Sequence, residues 1–260
     1  EPIDAAKAED LDIPLEAYPY SVGSSYPVAY FPGYFNEGGT EEMLKTLSDN
    51  KKRSELISRM GEDNYSTPAG NVWSFIGLEK YKHFEGQQFE DVAEEWGLSV
   101  AEMMCRMMVE TNFACGMRGA PPANIAKWRQ VEADVMELLS RPDYMIGSDS
   151  ISAGGVPHPR GHGCFARFVG RLRRRHNYPI EQVIQRVTQN PAERFKLTDR
   201  GVLAEGKFAD LVIFDSETIN DRATFDDPIA YAEGVPHVIV NGKLVVEKEA
   251  VTGVMAGHAI

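Results

Sequence analysis

Apolar residues change their spacing several times along this chain, and each change predicts a different element. Residues 1–10 read as the tail of a helix, and residues 11–20 as a buried strand. That strand must end at Pro19, since a proline cannot donate into a central ladder. Residues 21–39 are rich in Gly, Ser, Pro and Tyr, the composition of a loop, and Thr40 starts a short helix. From 41 to 140 the pattern is mainly helical. Phe89, Val92, Ala93 and Trp96 keep helical spacing. Ser99 with Glu102 forms a capping box, and Met103, Met104, Met107 and Met108 follow as a stripe best explained by core packing. Ile125, Trp128, Val131, Val135 and Leu138 predict one more amphipathic helix, stopped by Pro142.

A short buried strand, residues 144–149, then carries a carboxylate, Asp149, at its C-terminal end. Gly154-Gly155 is a turn and residues 158–163 a loop. Two helices follow, one with Phe165, Phe168, Val169 and Leu172 on a face, the other with Ile180, Val183, Ile184 and Val187, ended by Asn190-Pro191. Beyond Gly201 the period becomes that of strands. Residues 209–214 are one, and residues 237–240 and 243–246 flank Asn241-Gly242, a strong two-residue hairpin signal.

Composition narrows the function class. The net charge of −12 argues against a nucleic-acid or anionic-membrane partner, and no apolar run approaches the roughly 18 residues that span a bilayer. Three cysteines without CxxC spacing suggest reduced thiols and a cytoplasmic protein. The first residue is Glu1 and no signal peptide is visible, so the chain is expected to start where something was removed.

Few residues carry chemistry on their own. A carboxylate at a strand end suits a metal-assisted or acid–base site, but a cap or loop hydrogen bond is the simpler reading of Asp149 by position alone. His158 and His162 stand four apart, yet the intervening Pro159 and Gly161 argue against a helical metal pair. Arg167, Arg171, Arg173, Arg174 and Arg175 form a basic cluster, read as the solvated face of a helix in preference to an anion site. Cys115 and Cys164 lack the neighbours of a nucleophile.

Longer strings shift that balance. Residues 206–215, GKFADLVIFD, resemble the closing signature of the amidohydrolase superfamily, and residues 238–243 the hairpin that follows it. Tyr18-Pro19-Tyr20 with Gly23-Ser24-Ser25, then Gly147-Ser148-Asp149 with His158-Pro159-Arg160, then residues 226–238, resemble the N-acyl-D-amino-acid deacylases. The resemblance implies an α/β chain: the last two strands of a TIM-like (β/α)8 barrel over residues 1–200, with a helical insertion at about 40–140, and a small β-sandwich segment over 201–260. It implies Asp149 as general acid/base and weakly as a metal ligand. Arg160 would bind the substrate's α-carboxylate, with the Tyr18 and Ser24 hydroxyls beside it. His162 stands where the family commonly has tyrosine, and would line the substrate. The implied cofactor is zinc, whose other ligands would lie upstream of Glu1. The implied partners are a small N-acyl amino acid and the N-terminal half of the enzyme, without which this chain should be inert. The rivals are another amidohydrolase, such as a cyclic amidase or deaminase, and a non-catalytic partner chain.

Overall fold

The computed structural model describes residues 2–60, 68–122 and 124–259. A short helix, α1 (Pro2–Ala8), leads into strand β1 (Leu15–Ala17). The polypeptide then leaves through β2 (Ser24–Ser25) into a helical layer, α2 (Gly39–Ser48) and α3 (Asn50–Ser58), followed by β3 (Asn71–Ile76), α4 (Phe89–Trp96), α5 (Val100–Glu110) and β4 (Cys115–Gly119). Helix α6 (Ile125–Ser140) brings it back to β5 (Tyr144–Ile146), which pairs in parallel with β1, Leu15 opposite Tyr144 and Ala17 opposite Ile146.

The region expected to be mainly helical contains a three-stranded antiparallel sheet, ordered β2-β4-β3. Strand β3 is buried on both faces and β4 holds two glycines, so neither shows the alternation that reveals a half-buried strand. Trp73, Phe84, Phe89 and the four stripe methionines fill one core beneath this sheet, as the core-packing reading expects. Local signals fix its helix ends. Gly97 closes α4 at a φ of 64°, a conformation that glycine adopts without a Cβ penalty. The Ser99 hydroxyl caps α5 by accepting from the Glu102 amide at 3.2 Å, while the Glu102 carboxylate turns away to Arg53 at 3.0 Å. Only the serine half of the capping box therefore forms.

A second core lies under the parallel pair. Leu15, Ala17, Tyr144 and Ile146 pack against Met136 and Leu139 of α6, Cys164 of α7 (Arg160–Arg167), Phe168 and Leu172 of the π turn (Phe168–Leu172), and Val183. Helix α6 is rotated from its expected face: Glu132, Met136 and Leu139 are buried, while Ile125 and Leu138 are exposed. Helix α7 also corrects an expectation, because residues 160–163 are helical rather than loop. Its glycines serve packing. A Cβ on Gly163 would lie 2.5 Å from the Tyr20 hydroxyl and one on Gly161 2.6 Å from the Ser150 hydroxyl.

After the π turn the helix ends in α8 (Arg173–Arg175), followed by α9 (Ile180–Val187) and α10 (Gln189–Arg194). Asn190-Pro191 does not end a helix. It sits in the first turn of α10, where a proline's missing N–H leaves nothing unpaired. The arginine run is not a solvated face either. Arg167 is buried between Asp221 at 3.4 Å and Glu132, Arg171 reaches Asp221 at 3.0 Å, Arg175 pairs with Glu132, and Arg174 donates to the Ser216 and Ile219 carbonyls. At Gly170 the helix passes so close to residues 219–220 that a Cβ would fall 2.0 Å from the Ile219 carbonyl oxygen.

The C-terminal unit is a four-stranded antiparallel sheet in the order β6 (Leu211–Ile213), β7 (His237–Val240), β8 (Lys243–Glu247), β9 (Ala250–Val251). Asn241 and Gly242 both take positive φ, 49° and 77°, as the hairpin signal requires. Among the described residues no helix is long and apolar enough to cross a membrane.

Candidate functional site

The C-terminal ends of β1 and β5 lie side by side because the strands are parallel and in register. Tyr18 is the first residue past β1, and Asp149 follows β5 by three. Leu15, Ala17, Tyr144 and Ile146 face the second core, so Glu16, Met145 and Gly147 point to the opposite side. Gly147 leaves room there for the Glu16 carboxylate, which a Cβ would approach to 2.7 Å.

Asp149 has a φ of 44°, an uncommon left-handed conformation that aspartate tolerates better than most residues. Its carboxylate is 62% exposed and lies 2.9 Å from Arg160 Nη2. Arg160 is the first residue of α7, and its side chain is fully buried. The same Nη2 donates to the Ser24 carbonyl at 3.2 Å, and the guanidinium carbon lies 4.4 Å from the centroid of the Tyr18 ring. Nε and Nη1 of Arg160 are buried and find no hydrogen-bond partner among the described residues. A buried guanidinium with two idle donors has an electrostatic claim on an anion, and each idle nitrogen forms a carboxylate-matching fork with Nη2.

Ser24 joins the cluster through its backbone. Its carbonyl accepts from Arg160, whereas its hydroxyl donates to the Met117 carbonyl at 2.8 Å and so ties the site to β4. The structure thus brings Asp149, Arg160, Tyr18 and Ser24 together. His162 is the expected site residue it does not bring in. It lies on the exposed side of α7, its ring 6.4 Å from that of Tyr231.

Two more basic residues lie near the cluster: His158, which the sequence offered only as half of a disfavoured metal pair, and Arg118, which no motif singled out. His158 is buried between the Arg160 amide and the Val22 carbonyl. Burial, then the Arg160 and Arg118 cations, press its pKa down to about 3, so the ring is neutral. Arg118, opposite Ser24 in the sheet register, donates to the Val156 and Phe225 carbonyls, and burial lowers its pKa. Only its proximity in the fold could have singled out Arg118. No nucleophilic thiol is present: Cys164 is buried, donates to the Gly147 carbonyl, and burial pushes its pKa up to about 12. Among the described residues no group of three or more His, Cys, Asp or Glu could hold a metal ion. One carboxylate, Asp149, is what this cluster offers, fewer than the three or four protein ligands a zinc ion takes.

Comparison with known proteins bears on this arrangement. Residues 96–246, more than half of the chain, match the Amidohydrolase family. The D-aminoacylase of Alcaligenes xylosoxydans xylosoxydans is 31% identical over 99% of this chain and 43% of its own length. The N-acyl-D-glutamate deacylase of the same organism is 29% identical over 92% and 40% respectively. A solved D-aminoacylase, described with a binuclear metal centre, superposes with a TM-score of 0.72 at 28% identity, covering 98% of this chain and 44% of the other. The N-acyl-D-glutamate deacylase of Bordetella bronchiseptica, solved with zinc and a phosphonate mimic of the tetrahedral intermediate, gives 0.68 at 27% identity, covering 94% and 42%. The chain therefore spans about two fifths of the length of the curated relatives it matches. On these grounds it belongs to the amidohydrolase family, and over nearly its whole length it is similar to the D-aminoacylases and N-acyl-D-amino-acid deacylases.

Proposed function

We propose that this chain is the C-terminal part of a zinc-dependent amidohydrolase that hydrolyses N-acyl-D-amino acids to a carboxylate and a free D-amino acid. The observation that carries the reading is Arg160, fully buried, with Nε and Nη1 unanswered and Asp149 2.9 Å away. A substrate carboxylate would take the idle Nη1 or Nε, which lie on different edges of the guanidinium with Nη2 beside either, and the Tyr18 ring would stack on the guanidinium. That places the amide bond on the side of Asp149, which as general acid/base would accept the attacking water's proton and deliver it to the leaving amine. In this reading β1 and β5 are the last two strands of a (β/α)8 barrel, residues 201–260 are a small β-sandwich segment, and the active face is the C-terminal one. The residues described here do not make a zinc site by themselves. Its remaining ligands, and the partner surface of the barrel, would come from the part of the relatives' length that this chain does not span, which this reading takes to be N-terminal. Deacylation of the D-enantiomers by these relatives' names supports the substrate class.

The test uses the protein expressed with its whole coding sequence. N-acetyl-D-amino acids should be turned over in preference to L-enantiomers, hydantoins and dihydropyrimidines. Asp149→Asn should abolish turnover. Arg160→Ala should raise KM for the carboxylate substrate by about a hundredfold, the loss of two charge-assisted hydrogen bonds. Undiminished activity in either variant would refute the assignment, and turnover of cyclic amides alone would move the chain to another branch of the family.

A further inference from the structure

The Arg160 guanidinium is held by two segments far apart in sequence, the stretch after β1 that carries Tyr18 and Ser24, and the start of α7. A guanidinium can serve a carboxylate well only if those segments keep a fixed spacing, since misplacement of about 1 Å is enough to lose much of a site's effect. His158 stands between them. Its Nδ1 is 3.0 Å from the Arg160 backbone N, and its Nε2 is 3.0 Å from the Val22 carbonyl oxygen. The Arg160 N–H can only donate, so Nδ1 accepts, the ring proton sits on Nε2, and Nε2–H donates to Val22. The ring is 3% exposed and held edge-on by Tyr20, at 5.0 Å and 84°, and by Phe225, at 5.1 Å and 75°.

We propose that His158 is a positioning residue: one imidazole, hydrogen-bonded to backbone at both nitrogens, ties the start of α7 to the segment after β1 and so sets where the Arg160 guanidinium meets its anion. Each bond has a distinct task. The Nδ1 bond fixes the first turn of α7, from which the Arg160 side chain departs. The Nε2 bond fixes residues 22–24, whose Ser24 carbonyl takes Arg160 Nη2. The neutral ring can do both at once, because burial and the two nearby arginines exclude the second proton that would abolish the Nδ1 acceptor. His158 touches no reacting atom in this scheme. It acts on binding, through Arg160.

The inference rests on reading the Arg160 guanidinium as a carboxylate site, and the test separates the two. In the protein expressed with its whole coding sequence, KM and kcat are measured for an N-acetyl-D-amino acid and for its α-carboxamide. His158→Phe removes both hydrogen bonds and should raise KM for the carboxylate about tenfold, with the carboxamide KM and kcat unchanged. His158→Asn can still accept from the Arg160 amide, and His158→Gln can still reach Val22, so each should recover part of the loss. Equal KM for the carboxylate in wild type and His158→Phe would overturn the proposal. So would an equal rise for both substrates, the mark of a merely structural role. Should the Phe variant not fold, the Asn and Gln variants decide by the same ratio. If Arg160→Ala leaves the preference for carboxylate over carboxamide unchanged, the carboxylate reading itself is wrong, an outcome distinct from failure at His158.

Discussion

Glu132 offers the sharpest test of how the second core is held. Its side chain is 5% exposed, and it faces Arg175, Arg129 at 3.3 Å, His176 at 3.4 Å and Arg167 at 4.0 Å. Burial works to raise its pKa, but Arg175, then His176 and Arg129, prevail and keep the carboxylate ionised. Arg167 is itself 4% exposed at its side chain, so it cannot turn to water when Glu132 is lost; Arg175, at 37%, can. Glu132→Ala therefore leaves one buried cation short of a counter-charge. Breaking a buried pair this way costs about 3–5 kcal/mol. Asp221 at 3.4 Å still neutralises Arg167 in part, which puts the expectation at the lower end, ~3 kcal/mol. Glu132→Gln keeps the shape and one acceptor and should cost only ~1–2 kcal/mol. Urea unfolding at pH 7 and fixed ionic strength, followed by tryptophan fluorescence, reads both. A loss below ~1 kcal/mol for Glu132→Ala would show that the arginines are not relying on it. An equal loss for Ala and Gln would show that shape, not charge, is what Glu132 supplies.

Two further outcomes follow from buried titratable groups. Cys105, Cys115 and Cys164 have thiols pushed up to about 12, 11 and 12 by burial, so the folded protein should resist iodoacetamide at pH 8 and label at all three only when unfolded; rapid native labelling would contradict the packing. His158 should make the fold acid-sensitive. The unfolded chain takes its proton near pH 6.5 and the folded ring refuses it until about 3, so stability is full above pH 6.5 and falls as pH drops through that window. The slope is at most ~1.4 kcal/mol per pH unit. Denaturation midpoints from pH 7 to 4 should flatten in His158→Gln, and an unchanged slope would refute the assignment.

What could be read from sequence was whatever a short window decides. The Asn241-Gly242 turn needs two positive φ values and has them. Ser99 needs one amide three residues on and finds it. The failures share a cause, which is that the deciding partner lies far along the chain. Residues 160–163 look like loop until Tyr20 and Ser150 are seen pressing on Gly163 and Gly161. The face of α6 is chosen by the arginines that need Glu132, not by its most apolar stripe. Strand β4 is the exception: it gives no period because two of its five residues are glycines and its burial does not alternate.

The candidate site obeys the same division. Strings such as Tyr18-Pro19-Tyr20 and His158-Pro159-Arg160 point to its members but not to their separate contacts. Ser24 was expected to offer a hydroxyl, yet its hydroxyl is committed to Met117 and its carbonyl meets Arg160. His162, expected to line the substrate because it stands where the family commonly has tyrosine, follows Arg160 by two; on a helix that spacing turns it about 200° away, and it faces solvent near Tyr231. His158, weighed only as a metal ligand, has both nitrogens occupied by backbone, which leaves no lone pair for a metal. A helical start at Arg160 explains both histidines at once. It puts Arg160, Gly163, Cys164 and Arg167 on the buried side and His162 outside. It also gives His158, two residues upstream, the free Arg160 amide that its ring holds.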